Sequence, residues 1–136
     1  MDSKFVKYAK EDIEGIKTMY ESVMTFASHG LFFRTGKIVG RRIAEHALKE
    51  REYFDKVADA LRSEGWVDHI SFDNSEIRTR GSIETHHGEE CTCHMLRGII
   101  ASVYEMKGAE KPYCREVDCE SKGAKECVFL IDHEVV

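Results

Sequence analysis

The stretch CTCHMLRGIIASVYEMKGAEKPYCREVDCESKGAKECVFLI, residues 91–131, decides the fold. Leu96, Ile99, Ile100, Val103 and Tyr104 recur at the three-four spacing of one helical face. The spacing predicts a helix from near Thr92 to Gly108. After it, Tyr113–Cys119 and Cys127–Ile131 read as strands joined by the glycine-containing loop Ser121-Lys122-Gly123-Ala124-Lys125. A helix followed by a hairpin, rather than a strand-helix-strand alternation, points to an α+β architecture.

Upstream of this stretch the pattern is helical. Residues 11–28 place Ile13, Ile16, Tyr20, Val23, Met24 and Ala27 on one face, with Glu11, Asp12 and Glu14 in the first turn and a stop expected at Ser28-His29-Gly30. A second helix is expected from Leu31 to about Leu48, with Phe32, Ile38, Val39, Ile43, Ala47 and Leu48 as its apolar positions. Within it Gly36, Gly40 and Ala44 stand four apart. Each glycine costs a helix about 1 kcal/mol against alanine, so the ridge implies close approach of another helix or of a second subunit. A third helix is expected over about Glu50–Ser63, burying Phe54, Val57, Ala58 and Leu61 and stopped by Gly65. Trp66–Phe72 reads as a strand, Asp73-Asn74-Ser75 as a turn, and Glu76–Arg80 and Ser82–His86 as weaker strands around Gly81. The predicted fold is therefore N-terminal helices on an antiparallel sheet, followed by a helix and a C-terminal hairpin, in a single domain over residues 1–136.

Composition narrows the function classes. At 136 residues the chain has the length of one domain, and 42% hydrophobic with 33% charged residues is ordinary for a globular one. One proline and ten glycines exclude a collagen-like or low-complexity chain. Twenty basic against 25 acidic residues, a net charge of −5, argue against a protein that coats phosphate backbones, so no nucleic-acid partner is expected. No run of 18 apolar residues suggests a membrane span, and the polar start Met1-Asp2-Ser3-Lys4 suggests no signal peptide, so a cytoplasmic location is expected.

The five cysteines, Cys91, Cys93, Cys114, Cys119 and Cys127, all lie in the last third. An odd number does not make a complete disulfide framework, and in a reducing compartment clustered thiols act as metal ligands or reactive groups. Cys119 and Cys127 flank the hairpin loop, so their sulfurs can meet. Cys93 begins a helix, where the dipole favours thiolate. Three thiolates suit zinc better than magnesium or calcium. Spacing alone leaves the fourth ligand open among Glu116, His94, Cys91 and Cys114. His86 and His87, beside Glu89 and Glu90, form a polar loop with the makings of a second metal or ligand contact, although solvation alone explains such a loop. His46 sits among apolar helix positions. Phe32, Phe33, Trp66, Phe72 and Tyr104 come from different elements and are candidates to line one cavity.

Cys93-His94-Met95-Leu96-Arg97-Gly98, then Arg115-Glu116-Val117-Asp118-Cys119, Lys122-Gly123 and Cys127-Val128-Phe129 resemble the 4-vinyl reductase domain family. The resemblance is close over the last third and extends only to the layout of the helices before it. Similar domains include a protein of bacteriochlorophyll synthesis, archaeal proteins described as hydrocarbon-binding, and the sensor domains of phenol-responsive regulators. In the phenol sensors zinc is held by a cysteine, a glutamate 23 positions on, a cysteine three further and a cysteine eight further. Here that pattern falls on Cys93, Glu116, Cys119 and Cys127. The resemblance thus implies a structural zinc that clamps the helix to the hairpin, in the half of the chain over residues 91–132. Glu116 and Cys119 would face opposite ways in a regular strand, so a bulge or a strand end near Asp118 is required. About two negative charges would remain on such a site, for Arg97, Arg115, Lys122 and Lys125 to offset.

The function implied is binding of a small apolar or aromatic molecule by a sensor or carrier, in a homodimer, with Phe33, His46, Trp66, Phe72 and Tyr104 as pocket candidates. Two alternatives stand beside it. One is an assembly or scaffold module similar to vesicle-tethering subunits, with the glycine ridge as a dimer seam. The other is a reductase acting on a vinyl group, against which the chain offers no Gly-rich dinucleotide fingerprint. No catalytic residue is assigned.

Overall fold

The structure, a computed structural model, describes residues 4–132. The start of the chain at Met1-Asp2-Ser3 lies outside them. The element order is α1 (Lys10–Met24), α2 (Ala27–Ala47), α3 (Tyr53–Ser63), β1 (His69–Asp73), β2 (Glu76–Arg80), α4 (His94–Met106), β3 (Tyr113–Asp118) and β4 (Cys127–Asp132). A single 3-10 turn, Glu120–Lys122, sits in the last hairpin loop. The strands form one antiparallel sheet in the order β1-β2-β4-β3. The α+β expectation holds.

Helix α4 is the centre. Leu96, Ile99, Ile100 and Val103 are at most 1% exposed, and Gly98, Ala101, Ser102 and Tyr104 are buried too. It therefore has neighbours on both sides. On one side the inward residues of the sheet, Ile70, Ile77, Cys114, Cys127, Phe129 and Ile131, join it in a single core. They alternate with outward Arg78, Arg80 and Arg115, the period-2 signature of a half-buried sheet. On the other side lies α2. A Cβ added at Gly36 would stand 1.9 Å from the Met95 carbonyl oxygen, and one at Gly98 1.9 Å from that of Phe33. At Gly40 the nearest atom would be the Ile99 carbonyl oxygen at 2.5 Å. The small-residue ridge is thus filled by α4 of the same chain, which corrects its reading as a seam between subunits.

Three further expectations change. Helix α1 ends at Met24, not at Ser28-His29-Gly30. The break is Thr25, at φ 48°, and Ser28 to Gly30 belong to α2. Gly30 signals nothing, because no atom lies within 4 Å of where its Cβ would be. Ser82–His86 is a turn rather than a strand: the Thr85 N–H and hydroxyl both donate to the Ser82 carbonyl. The stripe expected to bury α1 faces outward, with Ile16, Tyr20 and Val23 exposed and Lys17 the helix's buried residue.

Candidate metal centre

The end of α4 and the β3–β4 hairpin converge on one point. Cys93 is the residue that caps the N-terminus of α4, and Cys127 opens β4. Between Glu116 and Asp118 the β3–β4 register shifts by a bulge, which turns Cys119 to the same side as the Glu116 carboxylate. The irregularity required by the three-residue spacing is present. One ligand atom from each of Cys93, Glu116, Cys119 and Cys127 lies within 4.8 Å of all the others, and this is the one such group among the described residues. His94, Cys91 and Cys114 fall outside it.

The cluster is dry. All three cysteines are 0% exposed. The Cys127 sulfur is 3.8 Å from that of Cys119 and 3.8 Å from that of Cys93. Glu116 uses one oxygen, which accepts the Cys93 N–H at 3.0 Å. Its other oxygen is buried without a hydrogen-bond partner. An orphaned carboxylate oxygen beside three sulfurs is costly unless something binds it. The four residues could hold a metal ion.

Without a metal, the group's charges compete. Cys119 lies well below the usual thiol range, because Cys127 and Cys93 donate hydrogen bonds to it. Cys127 is held up as that donor. Cys93 is pushed well up by hydrogen bonding with Cys119 and Cys127 and then by burial. The helix start therefore does not make Cys93 the thiolate, as the dipole alone suggested. Burial raises the Glu116 carboxyl to about 8, with Cys119 adding to the shift.

Dipoles rather than basic side chains surround the sulfurs. The Glu120 N–H donates to the Cys127 sulfur at 3.3 Å, the Ser82 hydroxyl is 3.2 Å from the Cys93 sulfur, and the Thr92 hydroxyl is 3.8 Å from that of Cys119. Arg97 instead donates to the Cys114 carbonyl and meets His94, and Arg115 pairs with Asp132 on the surface.

Sequence reasoning missed the support of this site. Glu84, 3% exposed, accepts from the Met95 and Leu96 N–H groups at 2.9 and 2.8 Å and so satisfies the first turn of α4. Its cation is Lys17 of α1, at 2.8 Å, which also donates to the Thr92 carbonyl next to Cys93. The available signal was a lysine inside an apolar stripe, four after Ile13 and three before Tyr20.

The five pocket candidates are dispersed. Phe72 and Tyr104 both pack on Phe54, with ring centroids 5.1 and 5.2 Å away. Beside them a cavity of about 340 Å³ is lined by Phe54, Ala58, Ile70 and Phe72 with the polar Asp55, Asp59, Arg62 and Ser71. Phe33 packs on Tyr113 under Arg97, Trp66 donates to Glu64, and His46 is exposed at the end of α2. Phe32, also in that aromatic group, is buried against Tyr20.

Among solved structures the chain is similar to the phenol-responsive sensory domain of the transcription activator PoxR, determined with phenol. The TM-score is 0.83 at 17% identity, over 97% of this chain and 78% of that one. It is similar to a vinyl-4-reductase family protein from Methanocaldococcus jannaschii, with TM-score 0.61 and 16% identity over 98% of this chain and all of that one. It is also similar to a trafficking protein particle complex subunit 3 from Naegleria fowleri, covalently bound to palmitic acid, with TM-score 0.55 and 15% identity over 93% and 97%. No curated protein matches the chain. At these identities the likeness is one of fold. Among the described residues no helix is long and apolar enough to cross a membrane. Residues 76–133 match the family model of the 4-vinyl reductase domain, and this is the part of the chain that carries β2, α4, the last hairpin and the cysteine–glutamate cluster.

Proposed function

We propose that this protein binds a small apolar or aromatic molecule, as a sensor or carrier, and that a structural zinc ion holds its C-terminal half together. The fold likeness to the PoxR phenol-sensing domain over 97% of the chain carries the reading. The cavity beside Phe54, Phe72 and Tyr104 is the place for the ligand: its inner wall is apolar and its rim polar, the usual anatomy of a small-molecule site. Phe54 thereby joins Phe72 and Tyr104 as a pocket residue.

Zinc is favoured by the donors. Tetrahedral zinc with Zn–S bonds of about 2.3 Å sets its sulfurs about 3.8 Å apart, the spacing found here. The unpartnered Glu116 oxygen supplies a fourth ligand. Four protein ligands close the shell, as in structural rather than catalytic sites. Cys93 and Cys119 would thereby tie α4 to the hairpin.

The test is a native mass spectrum of protein purified without a metal-affinity tag, repeated after denaturation. One zinc per chain and a small extra mass lost on denaturation are expected. Cys119→Ala should lose the zinc and lower the melting temperature; an unchanged metal content in that variant removes the assignment.

A second reading, a homodimeric assembly module, is favoured by one observation. Met19, Tyr20, Val23 and Phe26 leave a large apolar surface at the α1–α2 corner exposed. Sedimentation at several concentrations decides it: a monomer at all of them rejects it, and a dimer without a bound small molecule supports it over the sensor.

A further inference from the structure

A metal that ends up in this cluster must first reach three sulfurs that water does not touch. Next to the cluster lies a second cavity, of about 320 Å³. Its walls are the opposite of the aromatic cavity's. Exposed Glu89 and Glu90 stand at its edge, and half-buried Glu21, His29, His86 and Cys91 line it further in. Thr92 and His94, which flank Cys93, complete the lining. Three imidazoles, three carboxylates and a thiol are all ligand types for zinc.

Two details give the cavity a direction. The His86 Nδ1 faces the His87 carbonyl at 3.5 Å. A carbonyl only accepts, so Nδ1 carries the hydrogen and Nε2 keeps its lone pair, the arrangement of metal-binding histidines. His94 differs: its Nδ1 takes a hydrogen bond from Arg97 at 3.2 Å, so its hydrogen is on Nε2, and it serves as the plate on which His29 stacks at 4.0 Å. Deeper in, the Cys91 sulfur donates to the backbone carbonyl of Glu116 at 3.6 Å. Cys91 therefore touches both the cavity and a member of the cluster.

We propose that this cavity is the entry site for the metal, with the carboxylates and His86 capturing a divalent zinc ion and Cys91 passing it to Cys93, Glu116, Cys119 and Cys127. The inference rests on the zinc reading above. Capture is ligand exchange. Water leaves the ion as the imidazole binds. Cys91 releases its thiol proton to solvent when its sulfur binds, and takes a proton back when the ion moves on. The entry ligands are not retained, because the buried set offers three sulfurs where the cavity offers one.

The experiment mixes zinc rapidly with the metal-free full chain in the presence of a chromogenic chelator, and reads both the uptake rate and the final stoichiometry. His86→Ala and Cys91→Ser should each slow uptake about tenfold or more, the scale on which single ligands and their supports act, and leave the end point at one zinc per chain. Unchanged rates in both variants overturn the entry site. So does a wild-type end point of two zinc ions that falls to one in the variants, which would make the cavity a resident site. If wild-type protein takes up no zinc at all, the zinc reading itself fails, and the entry site with it. Circular dichroism of the metal-free variants separates a slow fold from a slow capture.

Discussion

Helices α1 and α2 are both amphipathic by spacing, yet they are attached to the same body by opposite means. Helix α2 lies backbone to backbone on α4, through Gly36, Gly40 and Gly98. Helix α1 turns its apolar stripe away and is held by two lysines. Lys10 donates to the carbonyls of Ser82 and Ile83 and to the Thr85 hydroxyl. Lys17 reaches the buried Glu84 and the Thr92 carbonyl. The difference teaches that an apolar period announces a buried face without saying what buries it. In α2 the answer is another helix of this chain. In α1 the fixed contacts are polar, and the stripe is left for something outside the chain.

The seam should break most completely. Gly98→Val places a branched side chain where even a Cβ would lie 1.9 Å from the Phe33 carbonyl and 2.9 Å from the Lys37 nitrogen. Backbone cannot yield as a side-chain tip does, so the cost exceeds the usual overpacking penalty of about 1–3 kcal/mol. The expected result is insoluble protein, or a melting temperature lowered by about 10 °C or more. A variant that melts within a few degrees of the parent would mean that α2 and α4 do not meet at this spacing.

The lysine attachment comes next. Lys17→Met leaves the Glu84 carboxylate buried with two backbone donors and no cation. Removing one partner of a buried pair costs about 3–5 kcal/mol. Denaturant titration should show that loss, and Lys17→Met combined with Glu84→Gln should recover part of it, because the neutral amide needs no counter-charge and still accepts from the α4 amides. If the double variant is as unstable as the single losses added, the pair acts by packing and not by charge.

Tyr53 tests the seam side more gently. Its hydroxyl donates to the Val103 carbonyl of α4 at 2.6 Å, and burial pushes the phenol up to about 12. The folded value lies above the unfolded one, so the contribution of the neutral phenol is fully present below pH about 10. It is lost as pH rises through the folded value. Tyr53→Phe should cost about 1 kcal/mol at neutral pH and flatten the fall in stability between pH about 10 and about 12. An alkaline unfolding curve that does not respond to the substitution would place the titrating group elsewhere.

What the sequence made legible follows the same division. The clustering of Cys93, Glu116, Cys119 and Cys127 was readable, because it depends on residue type and on a bulge that the three-residue spacing of Glu116 and Cys119 demands. Helix α4 and the hairpin were readable because their apolar periods are satisfied within the chain. The junction of α1 and α2 was not, because Ser28-His29-Gly30 carries a stop signal that nothing in the packing uses, while the true break at Thr25 has no favourable residue for its positive φ. The pocket candidates scattered for a related reason. Aromatic residues mark burial, and burial alone does not say that two of them share a wall. Phe33 answers to Tyr113 and Arg97, whereas Phe72 and Tyr104 answer to Phe54.

The smallest effect on stability should carry the most information about α1. Val23 is 78% exposed and Phe26 is 75% exposed. Val23→Lys adds a charge to an open surface, where substitutions stay within about 0.5 kcal/mol. The melting temperature of a monomer should therefore hardly move. Sedimentation is the sensitive measurement. If the stripe is covered by a second copy of the chain, two added lysines meet across the two-fold axis and the species should shift to half its mass. If mass and melting temperature are both unchanged, the stripe is not the interface. The lysines would then hold α1 in place without any partner, and its apolar period would be a surface property that only the folded protein reveals as unused.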